Sequence, residues 1–395
     1  RLSQGYELFN AHLLEHFPGE RKAIEHYIGR IIGVTKDFPL YDIATASSYK
    51  IRPEVLGECA FTFLDSLSGN ERLKNVLGGA LSLYAGNPDK TPLYIHALMR
   101  DSLVKSCWRP VDGSQQIADR LVEGILENGG TVLTSHKVSE IIIENEKASA
   151  VMVDNGSRFN ADVFISNAHP ATTLSLIGEG KIRKIYRKRI MALENSWGVF
   201  TLYAVLRKNS FPYLNKNYFH YNGQGILHAR HDEAHWPDNY YFYTPAVKNT
   251  PEFAESIVVM ADMKYDEVRK WQGTGINRRG EEYADFKQAR AERLLSALER
   301  RLPGIREKIL KYYTSTPLTF FDYTGTHEGS AYGIMKDCRD PQRSIIQTRS
   351  KISNLYFTGQ NLNLHGILGV TAAAVITCSE IVGLEYLSRK IADGQ

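Results

Sequence analysis

Residues Asn354–Glu380 read NLYFTGQNLNLHGILGVTAAAVITCSE and join a short apolar stretch, a glycine turn and a long apolar run. The aromatic and aliphatic residues before Gly359 predict a short buried strand that ends in a turn. The run from Val370 is apolar around nearly its whole circumference, which predicts a helix in the protein interior. We place Gly369 and Thr371 in its first turn, where open N–H groups at the positive end of the helix dipole suit an anion or an electron-rich carbonyl. Tight helix packing alone is the other explanation of these glycines.

The rest of the chain divides into segments of different character. Helical periodicity comes first, then a helix with short strands, then apolar aromatic strands with a long charged helix, and finally the strand, turn and helix described above. The bounds of these segments are 1–105, 106–170, 171–330 and 331–395. In the second segment Val132 and Leu133 are among the residues that mark strands, and Asn155-Gly156 marks a tight hairpin turn. The mixture predicts an α/β fold.

Composition excludes several classes of protein. The net charge of +4 on 395 residues is close to balanced and makes no case for a nucleic-acid partner. Four separated cysteines without a C-x-x-C pair encode neither a disulfide framework nor a zinc knuckle, and they favour reduced thiols in a cytoplasmic protein. His231 and His235 have the spacing of two metal ligands on a helix, but Trp236-Pro237 follows at once and no third ligand is evident. We therefore predict an exposed loop and no metal site there.

A local basic cluster interrupts this balance between Lys181 and Arg189, where the sequence is KIRKIYRKR. Its apolar residues recur at roughly helical spacing, so a solvated helix face is the ordinary explanation. Peripheral contact with an anionic membrane surface is the alternative.

Four stretches of the chain carry a resemblance to a known family. They are GQNLNLHGILGVT, WRPVDGSQQIADRLVEGILENGGTV, VSEII with DVFISNAHP, and STPLTFFDYTGTHEGSAYG. In content, order and spacing they resemble the phytoene desaturase-like flavoproteins, which include carotenoid desaturases and isomerases and the all-trans-retinol 13,14-reductase type. The first stretch is more similar to the retinol saturase-like branch than to the desaturases proper.

This resemblance implies an FAD-binding Rossmann-like fold, of the flavoprotein class with two dinucleotide-binding domains, joined to a sheet-plus-helix substrate domain. Segments 106–170 and 331–395 become the middle and C-terminal parts of the FAD-binding domain, while 1–105 and 171–330 become the substrate domain. The cofactor-binding residues implied are Val138 at the adenine, Asn167 and Ala168 at the flavin ring, Gly359, Gln360 and Asn361 at the ribityl diphosphate, and Gly369, Val370 and Thr371 at the pyrimidine edge. The substrate-side residues implied are Tyr323, Tyr332, Gly333 and His365.

One part of the family pattern has no match in the printed sequence. Members open with a strand and a G-x-G-x-x-G turn for the pyrophosphate, followed by an acidic residue for the ribose. No segment here has that spacing, so the sequence predicts an N-terminally incomplete cofactor domain. We expect FAD in the full-length protein, and we expect these 395 residues alone to hold FAD poorly and to self-associate through an open strand edge.

The function implied is an FAD-dependent oxidoreductase that acts on carbon–carbon bonds of a hydrophobic polyene or isoprenoid, as a desaturase, saturase or isomerase. His365 and Tyr332 are the candidates for delivering a proton, although packing explains such residues equally well. A non-redox isoprenoid- or lipid-binding relative and an amine-oxidase-like flavoenzyme are the alternatives. The electron partner stays open among a nicotinamide nucleotide, a quinone and oxygen.

Overall fold

Helices fill the first part of the chain, and strands begin at Val138. The structure, a computed structural model, describes residues 3–38, 41, 53–221, 225–228, 231–249 and 251–394. Its α-helices are α1 (Tyr6–His16), α2 (Arg21–Lys36), α3 (Pro53–Leu56), α4 (Ala60–Ser66), α5 (Glu71–Gly78), α6 (Leu93–Lys105), α7 (Gln115–Glu127), α8 (Pro170–Leu176), α9 (Lys184–Met191), α10 (Glu281–Arg301), α11 (Ile305–Lys308), α12 (Pro317–Thr324), α13 (Pro341–Ser344), α14 (Gly366–Val382) and α15 (Leu384–Ala392). Its strands are β1 (Val138–Glu144), β2 (Lys147–Val153), β3 (Arg158–Asn160), β4 (Phe164–Ser166), β5 (Gly198–Leu206), β6 (Tyr218–Tyr221), β7 (Asn239–Tyr243), β8 (Ser256–Met263), β9 (Ile309–Ser315) and β10 (Leu355–Phe357).

The helical part is organised around α6, which the chain buries almost completely. At its centre the two ring nitrogens of His96 each lie 2.9 Å from a phenol oxygen, that of Tyr27 and that of Tyr84. Burial first and the nearby Arg100 second lower the pKa of His96 to about 3, so the imidazole is neutral. A neutral imidazole has one donor and one acceptor, so this residue connects α2 to the turn before α6 without a buried charge.

Strands β1, β2 and β3 form an antiparallel meander in sequence order. The turn between β2 and β3 contains Gly156 at φ +85°, as the Asn-Gly pair predicts. The turn between β1 and β2 uses Asn145 and Glu146 at positive φ, without a glycine. The prediction of a strand at residues 132–133 is wrong, because within the described residues no neighbouring strand pairs with this segment.

Strands β4 and β10 pair in parallel, with Leu355 opposite Phe164 and Phe357 opposite Ser166. One side chain joins this pair to the meander. Asn354 accepts a hydrogen bond from the Ala148 N–H at 2.9 Å and donates from Nδ2 to the carbonyl oxygens of Ala148 and Asp162 at 2.8 and 2.9 Å. The side-chain amide of Asn354 thus makes the hydrogen bonds that the backbone of a neighbouring strand would make at this position.

The third sheet has five antiparallel strands in the order β6-β7-β8-β5-β9. Alternation along the strands gives it two faces. One face carries Phe200, Leu202 and Val259 and packs against α10 in a continuous core. The opposite face carries tyrosines, among them Tyr241, whose pKa is raised first by burial and then by the nearby Tyr332.

Helix α14 is apolar on all sides, as the sequence predicts, but it is buried on one side only. Ala373 and Ile376 face the core, whereas Ile367 and Ile381 are exposed. The prediction of an interior helix is therefore wrong for half of the α14 surface. Helix α7 is amphipathic and has no buried residue. Within the described ranges, no helix is long and apolar enough to cross a membrane.

Candidate active site

The parallel pair brings two predicted cofactor segments together at the carboxyl ends of its strands. Asn167 and Ala168 follow β4 directly, and the Thr358 N–H donates to the Ser166 carbonyl at 3.0 Å beside them. Gly359 has φ +88°, and a Cβ at this position would overlap the Asn167 Oδ1 atom. Ligands of open α/β sheets bind at this edge. The exposed Asn167 amide therefore packs directly against the Gly359 backbone, in space that a side chain at position 359 would fill.

The buried side chain of Lys336 holds the turn that follows β10. The Lys336 Nζ atom donates to the carbonyl oxygens of Ser344, Asn361 and Leu362 at 2.8, 2.9 and 2.6 Å. Burial lowers the pKa of Lys336 to about 7. The Asn361 side chain is also buried and accepts from the Ile334 N–H at 3.1 Å. Asn361 therefore holds protein backbone with its side-chain oxygen, and its contact with the diphosphate stays a prediction.

Helix α14 begins after this turn, with His365 at its N-cap. Because the helix starts at Gly366 and a turn has about 3.6 residues, the prediction of a place in the first turn holds for Gly369 and is wrong for Thr371. The open N–H groups of such a helix belong to its N-cap and first three residues, so Gly366 and its two successors present them. Gly369 is required for packing, since a Cβ there would lie 2.5 Å from the Leu364 carbonyl carbon.

The remaining implied cofactor residues lie at element ends. Val138 is the first residue of β1 and stands opposite Val153. Gln360 is half-buried after the Gly359 turn, while Val370 and Thr371 are exposed on α14. Their contacts with the adenine, the diphosphate and the pyrimidine edge stay predictions.

Two implied substrate-side residues, Tyr332 and His365, touch each other with ring centroids 4.6 Å apart. The Tyr332 hydroxyl donates to the Ser82 carbonyl at 2.9 Å, and His365 is hydrogen-bonded to the backbone of the adjacent Leu83. Burial raises the pKa of Tyr332 above its ordinary value. Burial lowers the pKa of His365 to about 4, against the opposing effect of the Leu83 hydrogen bond. Both side chains are therefore neutral near pH 7.

The other two substrate-side residues have different surroundings. Gly333 has φ +71°, and a Cβ there would overlap the Asn361 Oδ1 atom, so this glycine lets two turns approach each other. Tyr323 is 70% exposed near the end of α12 and belongs to no enclosed wall. The lining role of Tyr323 stays a prediction.

A polar network that the sequence does not reveal lies next to Ala168. The His169 Nδ1 atom accepts from the Ala171 N–H, so its Nε2–H donates to Asn195 Oδ1 at 2.9 Å. The Asn195 Nδ2 atom donates onward to His327 and Glu328 at 3.1 and 3.2 Å. Burial first and His327 second lower the pKa of His169 to about 4. Asn195 lies 26 residues after His169, and His327 and Glu328 follow it by 132 and 133 residues, so no local pattern predicts their meeting.

The segment HDEAH forms a loop, as predicted, and not a helix. The His231 Nε2 atom lies 2.8 Å from Glu267 Oε1, while His235 pairs with Asp232 at 2.5 Å. These histidines thus have separate carboxylate neighbours. Among the described residues, no cluster of three or more metal-ligating side chains occurs.

A helix-covered antiparallel sheet joined to a parallel strand pair with a glycine turn and a helix start defines an α/β flavoprotein fold. An oxidoreductase structure from Methanosarcina mazei matches 82% of this chain and 68% of its own, with a TM-score of 0.57 at 18% identity. The family model for flavin containing amine oxidoreductases matches residues 55–382. The chain belongs to this family, and its cofactor class is flavin.

Two relatives confirm the resemblance to the phytoene desaturase-like flavoproteins. The human all-trans-retinol 13,14-reductase is 24% identical over 81% of this chain and 56% of its own length. The lycopene-forming phytoene desaturase of Pseudescherichia vulneris is 26% identical over 79% of this chain and 64% of its own length. The chain thus spans little more than half of the human relative. Neither the family description nor these names support the predicted nicotinamide nucleotide.

Proposed function

We propose that this protein is a flavin-dependent oxidoreductase that acts on carbon–carbon double bonds of an uncharged polyene, and that it belongs to the retinol saturase-like branch. The observation that carries the proposal is the neutral pair formed by Tyr332 and His365. Two uncharged side chains suit a hydrocarbon chain, because burying a substrate against an ionised group costs free energy. The names of the two relatives support the same substrate class.

The residues present fit the flavin end of FAD. Gly359 and the exposed Asn167 and Ala168 follow strand ends, and the open N–H groups of Gly366 and its two successors lie at a helix start. Backbone donors face outward at such positions. The N–H groups at the start of α14 suit the pyrimidine edge, where negative charge collects on reduction. When bound, the flavin supplies the hydride chemistry.

The chain's own residues orient the substrate and keep water out. Tyr332 and His365 are anchored on the consecutive carbonyls of Ser82 and Leu83, which belong to the helical part of the chain. The proton of Tyr332 is therefore held at a fixed position by the Ser82 oxygen. Tyr241 brings the tyrosine-bearing face of the five-stranded sheet close to the same place. We assign this face the role of the second wall.

The basic cluster offers fewer free cations than its sequence suggests. Arg187 donates to the carbonyl of Ile177, and Arg189 donates to that of Arg343. Ile185 is 80% exposed between the exposed cations of the cluster. We propose that this isoleucine and its neighbours Lys181, Arg183, Lys184 and Lys188 contact an anionic membrane from which an apolar substrate partitions.

The test of the redox proposal is direct. The purified chain is titrated with FAD under anaerobic conditions. All-trans-retinol is then added to the reduced flavin, which can donate hydrogens, whereas phytoene and putrescine are added separately to the oxidised flavin, which can accept them. We expect a polyene to react and to change in mass by two hydrogens. Reaction with putrescine alone would place the protein with the amine oxidases, and bound flavin that responds to no substrate would favour the lipid-binding alternative.

A matched pair of variants tests the wall. Tyr332→Phe removes the hydroxyl that Ser82 holds, whereas Tyr386→Phe changes an exposed tyrosine of α15. We expect the first to alter turnover of the polyene and the second to leave it unchanged. Equal effects would show that Tyr332 does not belong to the substrate wall.

A further inference from the structure

Two cysteines that are far apart in the sequence, Cys59 and Cys338, lie against the same turn, residues 87–92. The Cys59 Sγ atom lies 3.8 Å from the Pro88 carbonyl oxygen, and the Cys59 backbone pairs with Pro92. The Cys338 N–H donates to the Lys90 carbonyl at 2.8 Å. The Cys338 backbone also lies near Gly57, two residues before Cys59, since a Cβ at Gly57 would lie 3.8 Å from the Cys338 carbonyl oxygen.

The two thiols interact with each other. Burial raises the pKa of Cys338 to about 12, and the Cys59 sulfur contributes further through its charge and a side-chain hydrogen bond. Cys59 is partly accessible to solvent, whereas Cys338 is 6% exposed. The other two cysteines, Cys107 and Cys378, are exposed.

We propose that Cys59 and Cys338 are a redox pair that closes to a disulfide under hydrogen peroxide. The accessible member reacts first and the buried member resolves it. The proposal rests on the position of the two thiols and is independent of the activity proposed above. Because no Cys-x-x-Cys spacing marks the pair, the sequence predicts four unconnected thiols.

The chemistry takes place in two steps. In the first, the Cys59 sulfur attacks a peroxide oxygen, a sulfur–oxygen bond forms, the oxygen–oxygen bond breaks, and the displaced hydroxide takes the thiol proton as water. In the second, the Cys338 sulfur attacks Cys59, the sulfur–sulfur bond forms, and the departing hydroxide takes the Cys338 proton. Two thiols lose two hydrogens, and one peroxide becomes two water molecules.

The second step needs the Cys338 thiolate as the attacking group. Burial continues to disfavour the Cys338 thiolate. We therefore expect closure to be slower than modification of an exposed thiol and to accelerate as pH rises.

The bond would connect two parts that form the substrate wall. Cys59 precedes α4 in the helical part, which supplies the Ser82 carbonyl, and Cys338 follows Tyr332 by six residues. At present Tyr332 and Tyr94 hold these parts together through hydrogen bonds to Ser82 and Asn363. A covalent link would fix the helical part against the segment that carries Tyr332.

The experiment uses the whole chain with the two exposed cysteines replaced, C107S and C378S, so that only the pair remains. This protein is treated with hydrogen peroxide, its thiols are counted, and its peptides are mapped by mass without reductant. We expect a loss of both thiols, an intramolecular peptide link between positions 59 and 338, and full reversal by dithiothreitol. The closed form should melt on the order of 5 °C higher, because the link restricts the unfolded chain.

Further variants separate the roles of the two sulfurs. In Cys338→Ala the sulfenic acid at Cys59 should persist and be trapped by dimedone, whereas the two-cysteine protein should trap little. The peptide map of the two-cysteine protein decides the matter even if Cys338→Ala does not fold. A mapped monomer with both thiols free or oxidised separately, or a link that forms only between molecules, would overturn the proposal.

Discussion

The contact between Gly359 and Asn167 allows a sharp test of the cofactor position, because the chain offers a second glycine of similar conformation with no atom near its Cβ position. Gly359 has φ +88° and a position for Cβ that overlaps Asn167 Oδ1 and lies 3.0 Å from its Cγ. Gly304 has φ +81° and nothing within 4 Å of its Cβ position. A left-handed conformation costs alanine about 1–2 kcal/mol. Gly359→Ala and Gly304→Ala should therefore both lose about 1–2 kcal/mol of stability.

The two variants should differ in flavin binding. The exposed Asn167 can swing away from an alanine at position 359, so the extra cost in stability is small, roughly that of one strained rotamer at about 1 kcal/mol. The displaced side chain then occupies the strand end that we assign to the flavin. We expect Gly359→Ala to lower FAD affinity about tenfold or more, which corresponds to about 1.4 kcal/mol, and Gly304→Ala to leave it unchanged.

Thermal unfolding and a fluorescence titration with FAD measure both quantities on the same samples. Adding Asn167→Ala to Gly359→Ala removes the overlap, so the double variant should bind FAD more tightly than the single one. Equal FAD affinity in Gly359→Ala and Gly304→Ala, at equal stability, would refute the placement of the flavin beside Gly359.

Three other predictions follow from the described contacts. Lys336→Met leaves three carbonyl oxygens without their donor, so it should destabilise the protein by about 2–4 kcal/mol in chemical denaturation; an unchanged midpoint would contradict this. His96 and His169 are neutral in the folded protein, because their pKa values are lowered from the ordinary 6.5 to about 3 and about 4. The stability that these neutral histidines contribute should be full above pH 6.5 and should fall as the pH drops toward the folded-state values. His169→Asn should make this dependence of stability on pH less steep. Binding to anionic vesicles should weaken in salt and in Ile185→Glu, but not in Arg187→Gln, whose arginine already serves a carbonyl; equal binding to neutral vesicles would refute membrane contact through this cluster.

The sequence predicts elements well wherever the signal is local. The helical first segment, the Asn155-Gly156 turn and the strand before Gly359 all appear as expected, because periodicity and turn chemistry are properties of a few adjacent residues. The flavoprotein family was also predicted, since four motifs stand in order along the chain. Burial was predicted less well. Helix α14 has an interior composition yet exposes Ile367, because composition gives the polarity of a surface and not what covers it.

Side-chain partnerships were the hardest to predict. The resemblance placed Tyr332 and His365 on the substrate side but did not predict their contact. The hydrogen bonds through Asn195 were not predicted at all. Asn354 looks like an ordinary polar residue at a strand start, although it connects two sheets. Such pairings depend on which distant backbone segments lie together in the fold. A periodic pattern in a single sequence does not indicate these long-range contacts.

The parallel pairing of β4 with β10 determines the order in which parts of the chain can fold during synthesis. Phe164 is synthesised 191 residues before its partner Leu355, which is the difference between the two residue numbers. At about 5–20 residues per second the wait is roughly 10–40 s. Among the described residues, β10 is the only strand that pairs with β4, and the five-stranded sheet lies between these two strands in the chain, so that sheet can form before the pair does. The strand ends beside Gly359 can come together only after Leu355 has been synthesised.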